Sequence, residues 1–194
     1  MKAYRPIALE NTLEKVLESV IAELITYFAE TNHLLPRNHY SARPGKSTED
    51  VMLVLTENIY SAWKESKVYS AVFMDIAGAF NNVHHDRLIH TLGQKRIPPK
   101  ITQWIASFLR HRSTKLQVNG VESEEIPIYT GIPQGSPLSP ILYIFYNSGL
   151  LDIPGPQKLG LGFIDDIAYG VKGATANMNA TMLQQMLNKA ETWR

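Results

Sequence analysis

The stretch Leu159-Gly160-Leu161-Gly162-Phe163-Ile164-Asp165-Asp166-Ile167-Ala168-Tyr169-Gly170-Val171 decides how the chain is read. Two apolar runs, 159–164 and 167–171, have the length and residue types of short strands, and an acidic pair sits at their junction. Adjacent carboxylates repel each other, and removing them from water costs more still. A divalent cation relieves both costs, but Asp is also an ordinary turn former, so the dipeptide alone fits either reading. Upstream, Tyr69-Ser70-Ala71-Val72-Phe73-Met74-Asp75-Ile76 reads as a buried strand that also ends in a carboxylate. If the two strand regions share one sheet, three acidic residues far apart in the chain meet at one edge.

Between them lies Gly131-Ile132-Pro133-Gln134-Gly135-Ser136-Pro137, a loop whose glycines let the backbone approach a ligand. Gln134 brings both donors and an acceptor to it, although a plain connecting loop has the same composition. Elsewhere the signals are structural. Asn11 with Glu14, and Ser47 with Asp50, are capping-box helix starts. Leu13, Val16, Leu17, Val20, Ile21, Leu24, Ile25 and Phe28 recur at helical period, which predicts a core-facing helix. Met52, Leu55, Ile59 and Trp63 give the second helix its apolar face. Helices are expected over 82–93, 99–110 and 138–150, and Asn119-Gly120 marks a hairpin. A last amphipathic helix carries Met178, Met182, Met186, Leu187 and Trp193 as packing residues.

The chain has 194 residues, 44% hydrophobic and 19% charged, with a formal net charge of +1. That suits a globular protein and excludes a disordered one. With no cysteine there is no disulfide scaffold, thiolate metal site or cysteine nucleophile. No apolar run reaches the roughly 20 residues of a membrane span, and the start shows no secretory signal, so an intracellular protein away from membranes is expected. The charge is unevenly spread. Arg87, Lys95, Arg96, Lys100, Arg110, Arg112 and Lys115 occupy a stretch without a single Asp or Glu, which fits a phosphate-facing surface as well as a solvated helix pair.

Five segments in order carry a resemblance. Phe73-Met74-Asp75-Ile76-Ala77-Gly78-Ala79-Phe80 resembles the first palm motif of reverse transcriptases, an aspartate followed five residues later by an aromatic. Gly131–Pro140 resembles their glutamine-containing loop, and Phe163-Ile164-Asp165-Asp166 their aromatic-x-Asp-Asp box. Tyr4-Arg5-Pro6-Ile7-Ala8-Leu9 and Arg43-Pro44-Gly45-Lys46-Ser47-Thr48 are similar to two fingers motifs. Within that family the chain looks most like the polymerase of non-LTR retrotransposons, of the fungal type.

The resemblance implies an α+β fold of fingers and palm, an antiparallel palm sheet packed on helices. Residues 1–70 would be fingers-like and 71–194 palm-like, with no thumb following. It implies RNA-directed DNA polymerisation on an RNA template and DNA primer, with dNTP as substrate. Asp75, Asp165 and Asp166, with the carbonyl of Ile76, would hold Mg2+ or Mn2+. Phe80 would be the steric gate against a 2′-hydroxyl, and Gln134 and Gly135 would lie along the incoming nucleotide and template. Arg5 and Arg43 would meet the triphosphate, and Lys46, Arg110, Arg112 and Lys115 the nucleic-acid phosphates. In the box, Phe163 and Ile164 stand where Tyr and Ala are commoner. The chain stops at Arg194, before the lysine that the family places after this helix. A second reading is therefore a truncated relic, or a module that binds nucleic acid without turnover.

Overall fold

The computed structural model describes residues 7–9, 11–110, 112–156 and 158–193. In chain order the helices are α1 (Thr12–Thr31), α2 (Thr48–Lys64), α3 (His85–Gln94), α4 (Pro99–Leu109), α5 (Ser139–Asn147) and α6 (Ala176–Thr192). The strands are β1 (Val68–Asp75), β2 (Arg112–Thr114), β3 (Gln117–Val118), β4 (Val121–Glu122), β5 (Ile126–Ile128), β6 (Leu159–Phe163) and β7 (Asp166–Gly173). A 3-10 turn over Ser148–Asp152 continues from α5. None of these helices is long and apolar enough to cross a membrane. The chain forms two compact units, one of residues 1–31 and 78–146, the other of 32–77 and 147–194.

The second unit is built on an antiparallel sheet in the order β1-β7-β6. Its long pairing runs from Val68 opposite Gly173 to Asp75 opposite Asp166. On the other side of β7, Leu159 pairs with Gly170 and Phe163 with Asp166, leaving Ile164 and Asp165 as the hairpin turn. Successive side chains alternate between faces. One face presents Val72, Met74, Ile167, Tyr169 and Val171 to Leu183 and Met186 of α6 and to Leu150 and Leu151. Tyr169 is fully buried, and its hydroxyl donates to the Leu150 carbonyl at 2.8 Å. Burial without charge stabilisation pushes that phenol up to about 12. The other face carries Ala71, Phe73 and Asp75 beside Ala168 and Asp166, with α2 alongside. β1 is thus half-covered rather than buried, as its run of apolar residues suggests, and Phe73 is 68% exposed.

Helix starts follow the capping signals. Ser47 Oγ accepts from the Asp50 amide while Asp50 Oδ2 accepts from the Ser47 amide at 2.8 Å, the reciprocal box expected there. Asn11 and Glu14 make the same exchange at α1, Asn11 Oδ1 accepting from the Glu14 amide at 2.9 Å. Thr175 caps α6, and Lys172 of β7 ion-pairs with Glu65 just beyond α2.

The first unit owes its core to α5, which is buried on every side from Ile141 onward and therefore apolar all round. Leu88 and Leu92 of α3 and Ile105 and Leu109 of α4 are buried, and these two helices pack on each other. Asn119 and Gly120 turn the β3–β4 hairpin, both at positive φ as a two-residue turn requires. The expectation for α1 holds only in part. Leu13, Val16, Leu17, Val20 and Leu24 are exposed, Leu13 at 82%, Ile21 and Phe28 are half-buried, and of the expected face Ile25 is fully buried, together with Glu18 and Ala29. Periodicity shows that a helix has an apolar face; only the packing partner decides which stripe is covered.

Candidate active site

The carboxylates expected to act together all lie in the second unit. Antiparallel register sets Asp75 directly across from Asp166, so both side chains leave the same face of the sheet. Both are exposed, at the end of β1 and the beginning of β7. Asp165 is half-buried in the adjoining turn, so the acidic pair does not sit wholly in the loop: its second member already belongs to β7. Beside the Asp75–Asp166 pair lies a groove of about 460 Å³, walled by Thr48, Val51, Met52 and Leu55 of α2 and by Phe73 and Phe163 of the sheet. Ile76, the expected carbonyl ligand, follows Asp75, and its side chain packs toward the covered core.

As a donor set the aspartates suit a hard cation: oxygen only, and placed by paired strands. Asp75 and Asp166 supply two such groups across one rung. Among the described residues no three His, Asp or Glu side chains are gathered closely enough to hold an ion together. The fit is therefore that of a cross-strand pair with a third carboxylate next to it in the chain.

The remaining expected residues fall as follows. Arg5 lies outside the described residues. Arg43 donates from Nη1 to the carbonyls of Pro36 at 2.6 Å and His39 at 3.3 Å, bracing the loop before α2. Lys46 donates to the Arg37 carbonyl and stands 4.4 Å from the Tyr40 ring centre. In the first unit, Phe80 stacks on buried Tyr143 with ring centres 5.2 Å apart, and its carbonyl accepts from the Ile132 amide at 2.8 Å. Gln134 donates from Nε2 to Asn81 Oδ1 at 3.0 Å, while its carbonyl accepts from the Ala8 amide at 2.8 Å. Gly135 has φ +112, and a Cβ there would stand 3.2 Å from the Ala8 carbonyl oxygen, so the loop needs glycine at this point. The glutamine loop is thus fastened to the turn that carries Phe80. His85 joins this structural zipper through Nε2 and the Gly131 carbonyl at 2.8 Å.

The basic residues of the first unit are less uniform than their run in the sequence suggests. Arg112 lies over the Phe108 ring at 5.7 Å, and Lys115 pairs with Glu122 at 3.5 Å. Arg110 is exposed at the end of α4.

Three buried polar residues have no counterpart in the sequence reading. Glu18, 1% exposed, accepts from the Ser136 hydroxyl inside the glutamine loop. Nothing in its sequence neighbourhood marks it for burial, because the packing partner sets which stripe is covered. Asn147 and His39, both fully buried, lie under the β6–β7 turn. Burial, with the Arg43 charge adding to it, lowers His39 to about 4. The Ile164 carbonyl favours a proton on the ring, without offering hydrogen-bonding geometry.

The family profile of the reverse transcriptase (RNA-dependent DNA polymerase) matches residues 1–194. The chain is 31% identical over 198 residues to a probable RNA-directed DNA polymerase from transposon BS of Drosophila melanogaster, covering 99% of this chain and 22% of that protein. It is 25% identical over 197 residues to the RNA-directed DNA polymerase from mobile element jockey of the same organism, covering 98% of this chain and 21% of that protein. The chain therefore spans about a fifth of the length of these relatives. Among solved structures, apo telomerase from Candida tropicalis truncated from its C-terminal domain has the same fold, with TM-score 0.62 at 14% identity over 92% of this chain and 37% of that one. With its aspartates at paired strand ends and the family profile matched from end to end, the chain belongs to the reverse transcriptase family, and the relatives it matches are polymerases of transposons and mobile elements.

Proposed function

We propose that this domain is the fingers-and-palm part of an RNA-directed DNA polymerase, fingers-like over 1–70 and palm-like over 71–194, extending a primer 3′-hydroxyl with dNTP on an RNA template. The observation that carries the reading is the Asp75–Asp166 rung, with Asp165 beside it. In the reaction the 3′-oxygen bonds to the α-phosphorus, the bond to the β-phosphate bridging oxygen breaks, and pyrophosphate leaves. The hydroxyl proton passes to solvent.

Asp75, Asp165 and Asp166, with the Ile76 carbonyl, would hold Mg2+ or Mn2+, which when bound supplies Lewis-acid activation of the hydroxyl and neutralises phosphate charge. The strand register sets the backbone of Asp75 opposite that of Asp166, which supports their sharing of one ion. Phe80 is suited to act as the barrier to a 2′-hydroxyl because its ring is held flat on Tyr143 and cannot swing freely. Gln134, tied to Asn81, would orient the nucleotide and template together with Gly135. Arg5, Arg43, Lys46, Arg110, Arg112 and Lys115 are proposed to meet phosphates. Arg43 and Lys46 would do so while bracing their own loop.

Primer extension on a primed RNA template with dNTP and Mg2+ or Mn2+ tests the reading. Wild type should add nucleotides, and Asp75→Asn or Asp166→Asn should lower the rate by roughly 10²–10³-fold or more while leaving the denaturation midpoint unchanged or raised. Template binding that persists without any nucleotide addition by the wild type would replace the polymerase with a binding module.

A further inference from the structure

On the covered side of the sheet, polar groups lie beneath the β6–β7 turn that the proposed reaction leaves without a role. The turn has only two residues, Ile164 and Asp165, between the paired Phe163 and Asp166. Ile164 has φ +54. A β-branched side chain rarely takes this left-handed conformation, and it persists only where the surroundings impose it. A two-residue hairpin turn itself asks for positive φ at its first position, and a buried contact meets the same residue. Asn147, fully buried at the end of α5, donates from Nδ2 to the Ile164 carbonyl at 2.6 Å. Only the amide nitrogen can serve a carbonyl, so this bond fixes which way the side chain points. Its Oδ1 is buried without a partner.

A second grip acts two residues earlier. His39 is fully buried against Gly162, where a Cβ would stand 2.9 Å from His39 Cδ2. The Tyr40 amide donates to the Gly162 carbonyl and the Gly162 amide to the Asn38 carbonyl, each at 2.9 Å. The strand leading into the turn is thereby tied to residues 38–40, and the turn itself is pinned at its first carbonyl.

We propose that Asn147 is a positioning residue that holds Ile164 in its left-handed conformation, with His39 as the floor under Gly162, and so sets the direction of the Asp165 and Asp166 carboxylates. Without the amide donor, Ile164 relaxes toward negative φ and rotates the acidic pair that follows it. The consequence for metal binding rests on the function proposed above; the clamp itself does not.

Two readouts on the full chain separate these. The first is amide hydrogen exchange of the segment 163–167 without metal. The second is Mn2+ affinity by EPR titration. The proteins compared are wild type, Asn147→Ala, Ile164→Gly, the double variant, and Asn179→Ala. The last is a control from the far end of the same sheet: Asn179 is equally buried and donates to the Val68 carbonyl and to Ser70 Oγ. Asn147→Ala should speed exchange of the turn about tenfold and weaken Mn2+ binding by roughly tenfold or more. Adding Ile164→Gly, which takes positive φ freely, should bring Mn2+ affinity back to within about threefold of wild type. Asn179→Ala should lower stability with neither effect on the turn. Unchanged exchange in Asn147→Ala, the same acceleration in Asn179→Ala, or no recovery in the double variant overturns the clamp. Should Asn147→Ala fail to fold, a double variant that folds with near wild-type turn exchange supports it, and one that stays unfolded rejects it. A wild type that binds no Mn2+ sinks the metal reading, while the exchange comparison still decides the clamp.

Discussion

The two faces of the β1-β7-β6 sheet share every strand and differ in almost everything else. On one, Val72, Met74, Ile167, Tyr169 and Val171 are sealed under α6 and the 3-10 turn. On the other, Phe73 is largely open and Asp75 and Asp166 stand in solvent beside the groove along α2. A strand's period of two makes this division possible: neighbours in sequence serve opposite faces. Ile167 anchors the core immediately after Asp166, and Met74 does so immediately before Asp75. Stability and the proposed chemistry are thus drawn from alternate positions of the same short segments.

The contrast can be broken by substitution, and the largest effect belongs to the covered face. Ile167→Ala should cost about 2–5 kcal/mol through lost burial and a cavity, measured as a shift in the urea midpoint. A loss as small as that of an exposed position would show that the face is not the core of its unit.

Acid gives the next largest effect. His39, on the covered side, is lowered from 6.5 to about 4. Between these values the unfolded chain takes up a proton that the folded chain refuses, so stability falls as pH falls. The contribution is complete above pH 6.5 and is lost toward pH 4, by about 3 kcal/mol. Urea unfolding at pH 7.5 and 4.5 should show this loss in wild type and a flatter dependence in His39→Gln. Equal slopes in the two proteins would mean that the ring is accessible to protons in the folded state.

Phe73→Ala on the open face should change stability least, within about 0.5 kcal/mol. A cost approaching that of Ile167→Ala would abolish the distinction between the faces.

Much of this arrangement is written locally. The Asn119-Gly120 turn, the capping boxes at Asn11 and Ser47, and the strand pair around Asp165-Asp166 each depend on neighbouring residues alone, and each forms where the sequence points. What is not local escapes. The α1 face of Leu13, Leu17, Val20, Leu24 and Ile25 has the pattern of a core helix, yet of these only Ile25 is buried, with Glu18 and Ala29 beside it. Glu18, His39 and Asn147 look like surface residues because a lone polar side chain carries no mark of burial. Their roles arise from contacts with Ser136, Gly162 and Ile164, which lie 17 to 123 positions away along the chain. For the acidic site, the sequence points to the identity of the carboxylates; register decides that Asp166, rather than Asp165, stands opposite Asp75.

The brevity of the β6–β7 hairpin has a consequence for tolerated change in the gene. Removing a residue from that connection, or adding one that a longer turn does not absorb, shifts the frame of alternation in β7. Either Asp166 would then be driven inward toward α6 with Ile167 pushed out to water, or the pairing with β1 would have to slip. At this hairpin, insertions and deletions should be purged more strictly than most replacements of side chains.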